Sequence, residues 1–156
     1  MWRPEPWTND AVDKIIIHCS DSQGGDAEAI RGWHIGRGWS DIGYHYVITN
    51  GRRGPGGKTY DPADDGIVEV GRSLSIDGAH VRGHNERSIG LCLISTGDGE
   101  FTPLQVLACI RLLADLQVRF EIGRDQIFGH RDLDGGKTCP GFNVYDFVAM
   151  IERATP

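Results

Sequence analysis

The sequence predicts an α/β domain in which a mixed β-sheet is covered by helices. Short β-branched runs alternate with longer segments of helical periodicity, in the order β–α–β–β–β–α–β–α. A turn-rich segment between the second and third strands predicts a hairpin, which adds an antiparallel pair to the sheet. The length of 156 residues is most simply one domain with its own core.

The first three elements follow from apolar spacing. Residues 14–20, KIIIHCS, are a β-branched run that is too short for a helix, so we expect a buried strand. The segment DAEAIRGWHIGRG has helical spacing and predicts a helix over 26–38 that glycine ends. Residues 43–49, GYHYVIT, form the second predicted strand.

The middle of the chain predicts two more strands. The turn-rich residues 50–66 lead into a return strand at 66–72, GIVEVGR, so this part is a hairpin with an enlarged loop. Residues 88–96, SIGLCLIST, are an apolar run and predict a central strand.

The C-terminal part begins with the clearest helix, at 101–123. Thr102 and Gln105 fit a capping box, Pro103 takes the first helical position, and Gly123 is the expected stop. A short strand at 126–130 and a closing helix at 143–154 complete the order, with Asn143 as the N-cap of that last helix.

Composition excludes several classes of protein. The formal charge is −6 and the basic residues form no block, so the footprint of a nucleic-acid binder is missing. No stretch approaches the roughly 20 apolar residues that a membrane span needs. The N-terminus, MWRPEPWTND, has no apolar core of a signal peptide, so we expect synthesis in the cytoplasm without one.

Four cysteines are present and none forms a CxxC pair, which favours free thiols over disulfides in an intracellular chain. Cys92 and Cys109 lie in apolar runs and are expected to be buried core thiols.

Two histidines stand at the ends of apolar strands, His18 after III and His130 after IFG. If these strands are parallel neighbours, both imidazoles emerge at the sheet edge where α/β proteins place ligands. Cys139 follows in a glycine-rich loop, and two histidines with one thiolate match a catalytic zinc site that keeps a fourth position open. Either histidine taken alone is also compatible with a structural hydrogen-bonding role.

Lys137 and Tyr44 are candidates for work beside such a metal. Lys137 is two residues before Cys139 and would stabilise an oxyanion, although a solvated loop lysine is the alternative. Tyr44 and His45 are adjacent in a strand, so only one of them can face the site. A tyrosine hydroxyl there would orient water or pass a proton, although an ordinary strand tyrosine is also possible.

The segment GAHVRGHNERSIG offers a further group of polar residues. His80, with Arg82 and Asn85, either lines a substrate groove or forms a polar loop that caps the next strand. Both interpretations are open at this point.

Several motifs in this order resemble the zinc-dependent N-acetylmuramoyl-L-alanine amidases of type 2. They are IIIHCSDS, GWSDIGYHYVI, GIVEVGR, AHVRGHNERSIGLCLI, the FTPLQ-led helix, FGHRD and KTCPGF. This family includes peptidoglycan recognition proteins and amidase-type phage lysozymes, and the chain is most similar to the lysozyme subgroup. The resemblance runs from about residue 13 to 153, nearly the whole chain.

The resemblance implies a role for each matched position. His18, His130 and Cys139 would bind one zinc ion per chain, Tyr44 and Lys137 would be catalytic, and the His80 segment would lie near the substrate. The implied fold is a mixed sheet with helices on both faces. The implied reaction is hydrolysis of the amide between N-acetylmuramic acid and L-alanine.

The resemblance also implies a biological setting. Residues 1–156 would be one catalytic domain (core about 13–153) without a cell-wall-binding domain. It would be a monomer with peptidoglycan as its partner, made in the host cytoplasm and acting in the periplasm or cell wall during phage lysis. A wall-recycling amidase, a non-catalytic peptidoglycan receptor and a thiol hydrolase using Cys19 are the alternatives. The main departure from the family is an insertion of about a dozen residues, GRRGPGGKTYDP, after Asn50.

Overall fold

The computed structural model describes residues 12–154, so the N-terminal segment MWRPEPWTND lies outside the described residues. Within them the chain forms the five strands that the sequence predicts, together with four helices. The strands are β1 (Lys14–Cys19), β2 (Tyr46–Asn50), β3 (Asp65–Val70), β4 (Ser88–Leu93) and β5 (Ile127–Gly129). The helices are α1 (Ala27–Gly36), α2 (Pro103–Phe120), α3 (His130–Leu133) and α4 (Val144–Ala154).

The sheet is mixed, as predicted, with the order β3-β2-β4-β1-β5. The β2–β3 hairpin is antiparallel and the other neighbours are parallel. On β1, Ile17 is in register with Gly129 of β5, so the residues that follow, His18 of β1 and His130 at the start of α3, lie side by side. The parallel arrangement therefore positions the candidate metal ligands.

Helices cover both faces of the sheet, which confirms the predicted architecture. One face carries the larger apolar cluster, in which Ile15, Ile17 and Leu91 pack with residues of α2 and α4. The other face carries a smaller cluster, in which Val47 and Cys92 pack with residues of α1. Successive strand residues belong to opposite clusters because side chains alternate across a sheet.

The predicted start of α2 is confirmed and its predicted end is wrong. Thr102 and Gln105 form the capping box, and Pro103 begins the helix. The helix ends at Phe120 rather than at Gly123, because Glu121 takes the left-handed conformation and its N–H bonds the carbonyl of Gln117. Glycine usually fills this position, and a non-glycine residue there carries a cost that sequence patterns do not reveal.

The inserted residues 51–62 pack against the start of α1. The Gly25 N–H donates to the carbonyl of Arg52 (2.7 Å). The guanidinium of Arg53 pairs with Asp64 at 2.6 Å, and also with Glu69. The Gly54 N–H donates to Asp26, the N-cap of α1 (3.1 Å). The insertion is thus an ordered loop, joined to the start of α1 by hydrogen bonds and to Asp64 and Glu69 of the hairpin by ion pairs. Among residues 12–154, no helix has the length and apolar composition that crossing a membrane requires.

Candidate active site

A polar cavity of about 470 Å³ lies at the carboxyl edge of the parallel strands. Its size is within the range of small-molecule sites. Its lining comes from the ends of α1 and β1, the segment before β2, the loop before β4, the segments after β1, β4 and β5, and the loop after α3. These residues are Cys19, Ser20, Asp21, His34, Arg37, Trp39, Tyr44, Ala79, His80, Thr96, Gly97, His130, Gly136, Lys137, Thr138 and Cys139. No residue of the 51–62 insertion belongs to this set.

Three predicted ligands meet beside this cavity. The Nδ1 atoms of His18 and His130 lie 3.2 Å apart. One ring nitrogen of each histidine and the Cys139 sulfur all lie within 4.8 Å of one another. Two hydrogen bonds hold Cys139 in this position. The Arg131 N–H donates to its carbonyl (2.8 Å), and the Cys19 N–H donates to its sulfur (3.1 Å).

The separation of the two histidine nitrogens fits a tetrahedral zinc ion. Zinc–nitrogen bonds of about 2.0–2.1 Å place two tetrahedral ligand nitrogens about 3.3 Å apart. The observed 3.2 Å between the histidine nitrogens is close to that value. Imidazole nitrogen and cysteine sulfur are also the donor types that zinc prefers. The two histidine nitrogens are therefore already at the separation that a zinc ion requires, and the Cys139 sulfur lies close by.

The protonation states of the histidines suit coordination. Burial, followed by the nearby His80 and His130, lowers the pKa of His18 well below its usual value. Burial lowers the pKa of His130 as well, with Asp134 opposing this effect and Lys137 adding to it. Both imidazoles are therefore neutral at pH 7, as metal ligation requires.

The pKa of the Cys139 thiol shifts in the direction that keeps its proton bound. A hydrogen bond with the Cys19 thiol, followed by burial, raises the pKa of Cys139. The metal-free thiol is therefore protonated at pH 7, and uptake of a cation would release that proton.

Tyr44 lies against the histidines, directly before β2. Its ring centroid is 5.0 Å from that of His18. Burial raises the pKa of Tyr44 well above its usual value, so the phenol is a neutral hydrogen-bond donor. The adjacent His45 is fully buried, and its ring nitrogens bond the Gly90 N–H (3.0 Å) and the Ile76 carbonyl (2.9 Å). Of the two neighbours, Tyr44 lines the cavity.

Lys137 is exposed on the loop that carries Cys139, and it lines the same cavity. Its N–H donates to the carbonyl of Asp134 (3.0 Å), which closes a turn two residues before the thiol. Its charge is felt at His130, whose pKa it helps to lower. The ammonium is thus a solvated cation at the rim, beside the three ligand atoms.

The N-acetylmuramoyl-L-alanine amidase family model matches residues 8–142 of this chain. The chain belongs to that family. It is similar to the endolysin of Klebsiella phage KP32, with 34% identity over 92% of this chain and 90% of the relative. The endolysin of Escherichia phage T7 is 33% identical over 94% of this chain and 91% of the relative.

A solved structure agrees with these matches. The N-acetylmuramoyl-L-alanine amidase LysC from Clostridium intestinale has a TM-score of 0.74 and 25% identity, covering 95% of this chain and 91% of that one. The predicted family and fold are therefore confirmed, and so is the predicted amidase activity.

Of the three predicted groove residues of the amidase, only His80 lines the cavity. His80 is 9% exposed and bonds His18, with its Nδ1 2.9 Å from the His18 Nε2. The Asn85 side chain accepts the N–H groups of His80 (2.7 Å) and Val81 (2.8 Å), so it holds the loop. Arg82 is exposed, and neither Arg82 nor Asn85 lines the cavity.

Sequence reasoning missed the wall of the amidase cavity that α1 supplies. His34 accepts the Gly43 N–H (2.9 Å), and its ring lies 4.4 Å from Trp39 and 5.6 Å from Tyr44, centroid to centroid. Arg37 lines the same side. The sequence placed His34 only in a predicted helix over 26–38, and no local signal pointed from that helix to a cavity.

The cysteines of the amidase are free, as expected. Cys92 and Cys109 are fully buried, which confirms that they are core thiols. The Cys19 sulfur has the Cys139 thiol as its partner, and that hydrogen bond is the main cause that lowers the pKa of Cys19 to about 7. Within residues 12–154, no hydrogen bond joins the Cys19 sulfur to a histidine, so a nucleophile–base pair is not formed.

Proposed function

We propose that this amidase is a zinc-dependent hydrolase that cleaves the amide between the lactyl group of N-acetylmuramic acid and L-alanine of the peptidoglycan stem. One observation carries the proposal. The Nδ1 atoms of His18 and His130 and the Cys139 sulfur form one cluster beside a polar cavity that Tyr44 and Lys137 line. The ligand set leaves room for water as the fourth ligand, as in catalytic zinc sites.

His18, His130 and Cys139 would hold the ion, which when bound would polarise the scissile carbonyl and make water a stronger nucleophile near neutral pH. Water then adds to the carbonyl carbon, and the C–N bond breaks. The products are the lactyl carboxylate and the free amine of L-alanine.

The protein's own side chains assist both stages. Tyr44 is neutral because burial raises its pKa, so its O–H donates a hydrogen bond that orients the attacking water or the carbonyl oxygen. Lys137 brings a positive charge to the rim, where it stabilises the oxyanion of the tetrahedral intermediate. The same ammonium can pass a proton to the departing amine nitrogen.

The biological setting follows from the relatives. The endolysins of phages KP32 and T7 are similar to this chain over 90% and 91% of their own lengths. By this similarity, the chain would work as a single catalytic domain, made in the host cytoplasm, that degrades the host cell wall at lysis.

The test is digestion of purified sacculi, followed by mass spectrometry of the soluble products. The proposal expects intact stem peptides with a free L-alanine amine and glycan strands with free lactyl carboxylates. Dialysis against a chelator should stop the release, and zinc should restore it. Release of disaccharide-peptides or of cross-link fragments would show a different bond, and binding without release would indicate a receptor.

A further inference from the structure

We propose that His80 is a positioning residue that fixes the tautomer and the orientation of His18 for metal binding. This inference rests on the metal site proposed above and concerns a contact outside the three ligands. The resemblance implies only that His80 lies near the substrate. In the structure, the His80 ring is hydrogen-bonded to His18.

The hydrogen bonds beyond His18 have one consistent direction. The Ser88 hydroxyl donates to the Asn85 carbonyl (2.8 Å), so its oxygen is free to accept. The Ser88 oxygen lies 3.2 Å from the His80 Nε2, which therefore carries the proton of that ring. The His80 Nδ1 then has a lone pair and accepts the proton of the His18 Nε2, at 2.9 Å.

The consequence falls on the other nitrogen of His18. With its proton on Nε2, the ring presents an unprotonated Nδ1, the atom that lies 3.2 Å from the His130 Nδ1. A neutral histidine can hold its proton on either nitrogen, and only one tautomer can coordinate here through Nδ1. The chain from Ser88 through His80 selects that tautomer.

Two glycines build a close-fitting seat for the His80 ring. A Cβ at Gly90 would lie 2.6 Å from the His80 Cδ2, and a Cβ at Gly78 would lie 2.4 Å from the same atom. Gly90 is inside β4, where glycine usually weakens a strand and marks a close approach. The Asn85 side chain fixes the backbone on the same loop by accepting the His80 N–H (2.7 Å).

This seat leaves His80 little capacity to act on substrate. Both of its ring nitrogens are engaged, one by His18 and one by Ser88. His18 has no exposed surface, so its Nε2 proton cannot turn to water if His80 is removed. An unpaired buried donor of this kind destabilises the ligand orientation. Outer partners of metal-bound histidines act in this way.

The experiment measures zinc affinity by competition with a chromophoric chelator, and the visible spectrum after Co²⁺ substitution. His80→Ala should weaken zinc binding about 10–100-fold and alter the Co²⁺ spectrum. His80→Asn should recover most of the affinity, because its amide oxygen replaces the lost acceptor. Gly90→Ala should weaken binding too, since it displaces the ring while keeping all ligands.

The matched control is Ile89→Val, next to Gly90 on the opposite face of β4. It trims the core and should leave zinc affinity unchanged. The folding of His80→Ala is judged by circular dichroism without zinc. If this variant does not fold, Ser88→Ala replaces it, and we expect a smaller loss of zinc affinity with the same change in the Co²⁺ spectrum.

The inference is overturned if the wild type binds zinc and a folded His80→Ala or Ser88→Ala variant binds it with the same affinity. That result would leave the proposed function intact. A wild-type protein that binds no zinc at the three ligands would refute both this inference and the proposed function.

Discussion

Acid should destabilise the metal-free amidase steeply, because buried histidines resist protonation in the fold. Burial, followed by Arg37 and Arg72, lowers the pKa of His34 from 6.5 to about 4. Burial, followed by His45, His130 and Arg72, lowers the pKa of His80 to about 3. Above about pH 7.5 neither the folded nor the unfolded chain protonates these rings, so their contribution to stability is constant there.

Below pH 6.5 the two states differ. The unfolded chain takes up a proton at each ring and the folded chain does not, so the unfolding free energy falls as the pH falls. Each ring contributes a slope of about 1.4 kcal/mol per pH unit. His34 and His80 together give about 2–2.5 kcal/mol per unit between about pH 6 and 4, because the folded His34 itself begins to take up a proton near pH 4. The summed loss of about 4–5 kcal/mol by pH 4 is a large part of the roughly 5–15 kcal/mol that stabilises a typical domain.

The assay is urea denaturation at pH 7.5, 6.0 and 5.0 with a chelator present. His34→Asn keeps an acceptor for the Gly43 N–H and removes one titrating ring, so the slope between pH 6.0 and 5.0 should drop by about 1 kcal/mol per unit. Ile89→Val should lower stability by about 1 kcal/mol at every pH and leave the slope unchanged. Parallel pH profiles for wild type and His34→Asn would refute this reasoning.

Three other substitutions test the site and the fold. Lys137→Ala should keep its zinc and lose about two to three decades of turnover, since an oxyanion contact is removed; full release of stem peptides rejects the role. Cys139→Ser should lose zinc on dialysis, with Cys109→Ala retaining it as the control; equal zinc per chain in both excludes the thiolate ligand. Thr102→Ala removes the capping box and the bond to Asp65 (2.6 Å), and should lower the urea-derived stability by about 1–2 kcal/mol, whereas Thr102→Ser should not; equal losses would contradict the cap.

The local elements were predictable because their signals are local. The capping box of α2 uses atoms three residues apart, and Asn143 caps α4 by accepting the Asp146 N–H (3.1 Å). The end of α2 was not predictable, because Glu121 takes a conformation that glycine usually fills. The short helix α3 was missed as well: His130 was expected to end a strand, and it begins four helical residues instead.

The sequence by itself determined which side chains are available for chemistry: two strand-end histidines, a tyrosine, and a loop with a lysine and a cysteine. Only the tertiary structure decided how they meet. The parallel pairing of β1 with β5 brings His18 and His130 within 3.2 Å across 112 positions of sequence. The seat of His80 between Gly78 and Gly90 depends on how the loop before β4 folds back against that strand. Contacts of this length depend on the whole core, and a local pattern does not encode them.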